Sequence, residues 1–131
     1  MPDGLTTCQS AHGPKETMDR LTAAVTKRGM AVLARIDHAA AAAAVGLALR
    51  PTEVLIFGNP RAGTPLMQAV QTSGIDLPLK ALVWQDAEGK TWLGYNEPGW
   101  LARRHGAEAG AERVLDAMTA ALEAVAKEAT S

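Results

Sequence analysis

Asp37 and His38 come closest, by residue type and placement, to a catalytic pair. A histidine in the first turn of a helix faces the positive end of the backbone dipole, which favours the neutral imidazole. Neutral imidazole serves as a general base or a metal ligand. Asp37 also suits a plainer role as helix cap, its carboxylate accepting N–H groups of the next turn, with His38 then only touching a neighbour. The loop Gly58-Asn59-Pro60-Arg61-Ala62-Gly63-Thr64 is the second candidate. It joins a strand to a helix, where free N–H groups can hold a phosphate or carboxylate and Arg61 can add charge. The spacing fits neither the phosphate loop nor the dinucleotide pattern, and Gly and Asn equally suit a tight turn with positive φ.

Other residues offer less. Arg35 and Asp37 share a strand face and read as an ordinary ion pair or a solvated face ahead of a catalytic couple. Trp84, Trp92 and Tyr95 could stack on a planar ligand or simply pack in the core or an interface. His12 precedes a helix and His105 ends one, a placement that needs no functional role. No His-x-x-x-His or Cys-x-x-Cys spacing occurs, so no metal site and no cofactor are expected. None of Ser10, Ser73 and Ser131 lies in a nucleophile elbow.

The elements that must hold these residues follow from periodicity. The first strand spans Leu5 to Ser10. Pro14 opens a helix whose Met18, Leu21 and Val25 form one apolar stripe, ended by Gly29. Ala31 to Asp37 alternates as a strand, with Val32, Ala34 and Ile36 on one face and Leu33, Arg35 and Asp37 on the other. An alanine-rich helix ending near Gly46 follows, then a strand from Glu53 to Gly58. Thr64-Pro65 reads as the start of a short helix.

Lys80 to Tyr95 is a hairpin around Asp86-Ala87-Glu88-Gly89. An even loop there pairs Val83 with Trp92 and Leu82 with Leu93, and puts Trp84 and Tyr95 on the Leu82 face. An odd loop shifts that register. Pro98 to His105 forms a short helix closed by Gly106, and a long C-terminal helix runs from about Ala109 to Ala129. The link from Asp37 to Glu53 is long enough for a helical crossover. That would set the second and third strands parallel and bring His38 and Asn59 to one sheet edge. Tyr95 is a candidate to reach the same edge.

Ile36-Asp37-His38, Phe57-Gly58-Asn59-Pro60, Gly63-Thr64-Pro65-Leu66-Met67, Asp76-Leu77-Pro78-Leu79-Lys80 and Tyr95-Asn96-Glu97-Pro98 together carry a family resemblance. From about Leu5 to about Gly106 the chain resembles the domain of unknown function 302 family, small bacterial and archaeal proteins. The resemblance implies a homodimer. It brings no reaction with it, so the motif positions carry no catalytic role on that account.

The expected fold is α+β: a single domain over residues 1–131 with about five strands, mixed or antiparallel, and four to five helices. A content of 47% apolar and 21% charged residues is that of a folded domain large enough for its own core. The net charge of −1, with its cations scattered, argues against nucleic acid. The single cysteine, Cys8, rules out an intrachain disulfide and reads as a small strand residue. The start of the chain does not read as a signal peptide, and the apolar run from Ala39 to Leu49 is too short to span a bilayer, so a soluble cytoplasmic protein is expected. The strands Glu53–Gly58 and Lys80–Tyr95 carry apolar residues on both faces, so helices or a second subunit must cover both sides.

Three functional readings follow. One is a homodimeric binding module for a small, anionic ligand held by Asp37, His38, Asn59, Gly63, Thr64 and Tyr95. Another is an enzyme with His38 as general base and Asn59 or backbone N–H groups stabilising negative charge. The last is a structural or interaction protein in which these residues are only caps and turns.

Overall fold

The computed structural model describes residues 2–107 and 110–131. The element order is β1 (Leu5–Gln9), α1 (Pro14–Lys27), β2 (Ala31–Asp37), α2 (His38–Ala44), β3 (Thr52–Gly58), α3 (Pro60–Ala69), a 3₁₀ turn (Gln71–Ile75), β4 (Leu79–Gln85), β5 (Thr91–Asn96), α4 (Pro98–His105) and α5 (Glu112–Thr130). The expected start of the last helix at Ala109 lies outside the described residues. The strands form one sheet in the order β1-β5-β4-β3-β2, and every neighbouring pair is antiparallel.

That arrangement overturns the parallel pairing expected of β2 and β3. Asp37 lies opposite Glu53, and Ala31 opposite Gly58. A short helix supplies only part of a return path: the seven residues of α2 rise about 10 Å, less than half the span of a seven-residue strand. The segment after it does not complete that path, and β3 starts at the end where β2 stops. The pair contains one irregularity, between Val32 and Ala34. A bulge there breaks simple alternation: Val32 pairs with the buried Phe57, while Ala34 and Ile36 pair with Ile56 and Val54.

The core lies on one side of the sheet. Met18, Leu21 and Val25 of α1 meet Leu55, Phe57, Val83 and Leu93 of the strands and Met118, Leu122 and Val125 of α5, all almost fully buried. The apolar spacing of both helices dictates this, since residues three and four apart share a face. Gly29 ends α1 at φ +79°, letting Met30 N–H reach back to the Val25 carbonyl before β2 begins. Gly106, at φ 72°, closes α4 in the same region. The opposite sheet face, with Val54, Ile56, Leu82, Trp84 and Trp92, is only half buried.

The hairpin loop is odd. Trp84 pairs with Trp92, Val83 with Leu93, and Leu82 with Gly94, one residue away from the even register. Trp84 and Trp92 therefore share the half-buried face, while Tyr95 joins Leu93 on the core side. Asp86 sets this register: its carboxylate accepts from Glu88 N–H, Lys90 N–H and the Trp92 indole at 3.0, 2.9 and 2.8 Å. Gly94 lets the Trp84 ring pack close, since a Cβ there would lie 3.1 Å from it and the ring would have to shift.

The indole bond, followed by the backbone donors, holds the Asp86 carboxyl below its ordinary pKa. A depressed folded-state pKa contributes stability above the ordinary carboxylate range, and that contribution disappears as pH falls through the folded value. Asp86→Asn should therefore be less stable than the parent at neutral pH. Denaturant titrations across the acidic range should show the two converging as the parent carboxylate protonates.

Candidate functional site

Antiparallel pairing separates the residues that were expected to converge. His38 follows the Asp37 end of β2 and Asn59 follows the Gly58 end of β3, six residues along the ladder, or about 20 Å. Two separate clefts result, and Tyr95 lines neither. Its ring is buried on the core face, where desolvation, then the Glu123, Cys8 and Glu97 charges, push the phenol above its ordinary pKa.

At the first end, Asp37 caps α2 by accepting Ala40 N–H at 2.9 Å. Among the described residues, no hydrogen bond reaches the exposed His38 side chain. Nothing orients its imidazole for proton transfer. The adjoining cleft includes Arg35, Asp37, Thr52 and Glu53. Arg35 donates through Nε to Glu53 at 2.8 Å and through Nη1 to Asp19 at 2.9 Å. Its cation is spoken for by two carboxylates, with the Glu53 bond the main cause of its raised pKa.

The other end holds Asn59, Gly63 and Thr64 together around a cavity of about 280 Å³. Here the helix begins earlier than Thr64-Pro65. Pro60 occupies the first helical position and Asn59 is the cap, its side-chain oxygen accepting Arg61 N–H at 3.0 Å. Asn59 has φ −138°, and neither Gly58 nor Gly63 adopts positive φ, so the segment is a strand running directly into a helix and not a left-handed turn. Pro65 sits inside α3, in its second turn, where it cannot donate to the carbonyl of the exposed Arg61.

The walls of this cavity are apolar. Ala31 and Leu33 of β2 form one side, Gly63 and Met67 of α3 another, and Leu77, Leu79 and Met118 the rest. Among the described residues, no charged side chain lines it, and Asn59 and Thr64, both exposed, are its only polar side chains. Such a lining suits a small, mainly apolar molecule whose polar group stays with solvent.

Sequence reasoning missed a polar cluster beside that wall. Asp76 accepts from Arg104 Nη1 at 2.9 and 2.8 Å, and its Oδ2 lies 2.6 Å from His105 Nε2. His105 Nδ1 lies 2.9 Å from Thr72 Oγ1. With Nε2–H donating to the carboxylate, a neutral imidazole takes the Thr72 hydroxyl proton at Nδ1 as acceptor. Hydroxyl, imidazole and carboxylate in a row also occur in acyl transfer. Here Arg104 sits on the same carboxylate, and Thr72 borders neither of the two clefts.

The cluster instead clamps the 3₁₀ turn to the end of α4. Lys80 extends it, donating to the Asp76 and Pro78 carbonyls at 3.2 and 3.0 Å on either side of the cis Leu77–Pro78 bond. The clue was the segment Asp76-Leu77-Pro78-Leu79-Lys80; the partners 28 and 29 residues on left no local signal.

The molecule is thus an α+β domain with a one-sided core and one uncharged cavity at a sheet end. It belongs to the family described as Domain of unknown function DUF302, which matches residues 6–125. A crystal structure of an uncharacterized conserved DUF302 protein from Bacillus stearothermophilus is similar, with a TM-score of 0.86 over 98% of this chain and 99% of that one. At 22% identity, that likeness speaks for the fold alone.

The chain is also 46% identical over 124 residues to the fluoride-specific ion channel FluC 1 of Brucella suis, covering 95% of this chain and 49% of that protein. The identity is the same to FluC 1 of Brucella abortus and FluC 2 of Brucella melitensis, covering 46% of each. The chain therefore spans about half the length of these curated relatives. No helix among the described residues is long and apolar enough to cross a membrane.

Asp76→Ala strands His105, whose side chain is only 8% exposed, and frees the turn before Leu77. Losing the partner of a largely buried polar group costs about 1–3 kcal/mol. The expected loss is at the lower end of that range, because Arg104 is half exposed and screened by solvent. Urea denaturation of the two proteins measures it.

Proposed function

We propose that this chain is a homodimeric binding module, working in the cytoplasm, for a small molecule held in the Asn59–Thr64 cavity. The observation that carries the reading is the cavity itself: lined mainly by apolar side chains, with Asn59 and Thr64 as its polar groups. An anionic ligand fits if its charge stays outside with solvent and its apolar part enters. His38 as general base has less support, because no partner orients it. The dimer is supported by apolar side chains left exposed along β2 and after it, Leu33, Val45 and Leu47 among them. A single half-buried cysteine, Cys8, suits a reducing compartment.

Gly63 offers the test. A Cβ there would meet Leu77 Cδ1 at 3.8 Å and Met67 Cε at 3.9 Å, ordinary contacts, so a side chain at 63 grows into the cavity. Gly63→Phe should fold and leave no room for a ligand. A thermal-shift screen over short-chain carboxylates and other small amphipathic metabolites should give a compound that raises the Tm of the parent but not of Gly63→Phe. Equal stabilisation of both proteins would move the site elsewhere.

A second reading is favoured by the Brucella relatives. A channel needs membrane-spanning elements, and no described helix here is long and apolar enough to cross. On this reading, what the chain shares with those proteins is an accessory domain, and the chain works beside a fluoride channel. A strain lacking the protein should then tolerate less fluoride in growth assays; unchanged tolerance sets this reading aside.

A further inference from the structure

Among the described residues, six of the seven large apolar side chains that stand exposed lie between residues 32 and 49: Val32, Leu33, Ile36, Val45, Leu47 and Leu49. They belong to β2, one of the two edge strands of the sheet, and to the segment beyond α2. No residue of α2 itself is buried. Edge strands are usually blunted by charge or covered, because their free N–H and C=O groups invite pairing. The irregularity at Val32–Ala34 removes Leu33 from the ladder and leaves it 60% exposed beside the cavity.

Two unsatisfied features therefore sit at opposite ends of one strand. The apolar cavity is at the Ala31 end, and the apolar segment Val45–Leu49 follows the Asp37 end. Within one chain they cannot meet. A two-fold axis through the middle of β2 reverses the strand, so the Asp37 end of one copy lies beside the Ala31 end of the other.

We infer that a second copy of this chain lies antiparallel along the β2 edge, and that the segment Val45–Leu49 of each copy closes the Leu33–Thr64 mouth of the other's cavity. This rests on the binding reading for its purpose but not for its geometry. Such a contact is isologous: it satisfies both features twice and closes upon itself. Six large side chains and an alanine helix expose several hundred Å², the scale of the roughly 800 Å² that each partner buries in a standard interface. The segment itself carries no cation and is followed by one, Arg50, too few for attraction to an anionic membrane. The side-chain-poor α2 lets another backbone approach closely. A ligand in the cavity would then be covered by the partner, so ligand and dimer would strengthen each other.

The test uses the full chain with Cys8→Ser. Leu47→Cys in one preparation and Thr64→Cys in another, mixed and oxidised, should give a disulfide-linked dimer on a non-reducing gel. Leu47→Glu, at a side chain 66% exposed, should keep the parent's circular dichroism and weaken the dimer at least tenfold by sedimentation velocity. A parent that sediments as a monomer well above micromolar concentration overturns the inference. So does a dimer in which residues 47 and 64 fail to cross-link. No step needs a ligand: a cross-linked dimer whose cavity binds nothing would remove the binding reading and leave this one standing.

Discussion

The antiparallel return from β2 to β3, made through the seven-residue helix α2 and the segment after it, decides at which end of the sheet each candidate site residue lies. Because β3 runs against β2, strand-end loops alternate between opposite ends of the sheet. Asp37 and Glu53 meet at one end, and Asn59 and the Leu77–Pro78 segment at the other. A crossover would have gathered the strand ends into one crevice. The return leaves a charged cleft and an apolar cavity at opposite ends of the sheet.

Chain reversals in this domain are secured by aspartates. Asp37 caps α2, Asp86 gathers two backbone donors and an indole within its hairpin, and Asp76 joins a 3₁₀ turn to α4 through Arg104 and His105. Asp37 accepts one donor, while Asp86 and Asp76 each accept more than one from a short stretch or a facing helix, which is what an acceptor-only group with two oxygens does well. Hydrogen bonds to a charged group exceed neutral ones in strength, so a few such residues can hold loops that bury little apolar surface.

Much of the fold was legible in the sequence, because helix stripes and strand alternation are local patterns. Met18, Leu21 and Val25, and later Met118, Leu122 and Val125, announce their buried faces without reference to any partner. Family membership was legible from the motif segments. Strand direction was not, since the link after Asp37 is long enough for either outcome. The hairpin register turned on whether Lys90 belonged to the loop, and Asp86 decides that by accepting Lys90 N–H. At the candidate site, Asn59, Gly63 and Thr64 are neighbours in sequence and stay together. The Asp76–His105 contact bridges 29 residues, and no periodicity points to it.

Trp84 rests on Gly94 and faces Trp92 across the hairpin, both on the half-buried side of the sheet. They are two of the three tryptophans, and the third, Trp100, lies over Gly4. Indole emission shifts with the polarity around the ring. The intrinsic fluorescence of this protein is therefore weighted toward one surface, and its colour is a built-in gauge of how dry that surface is.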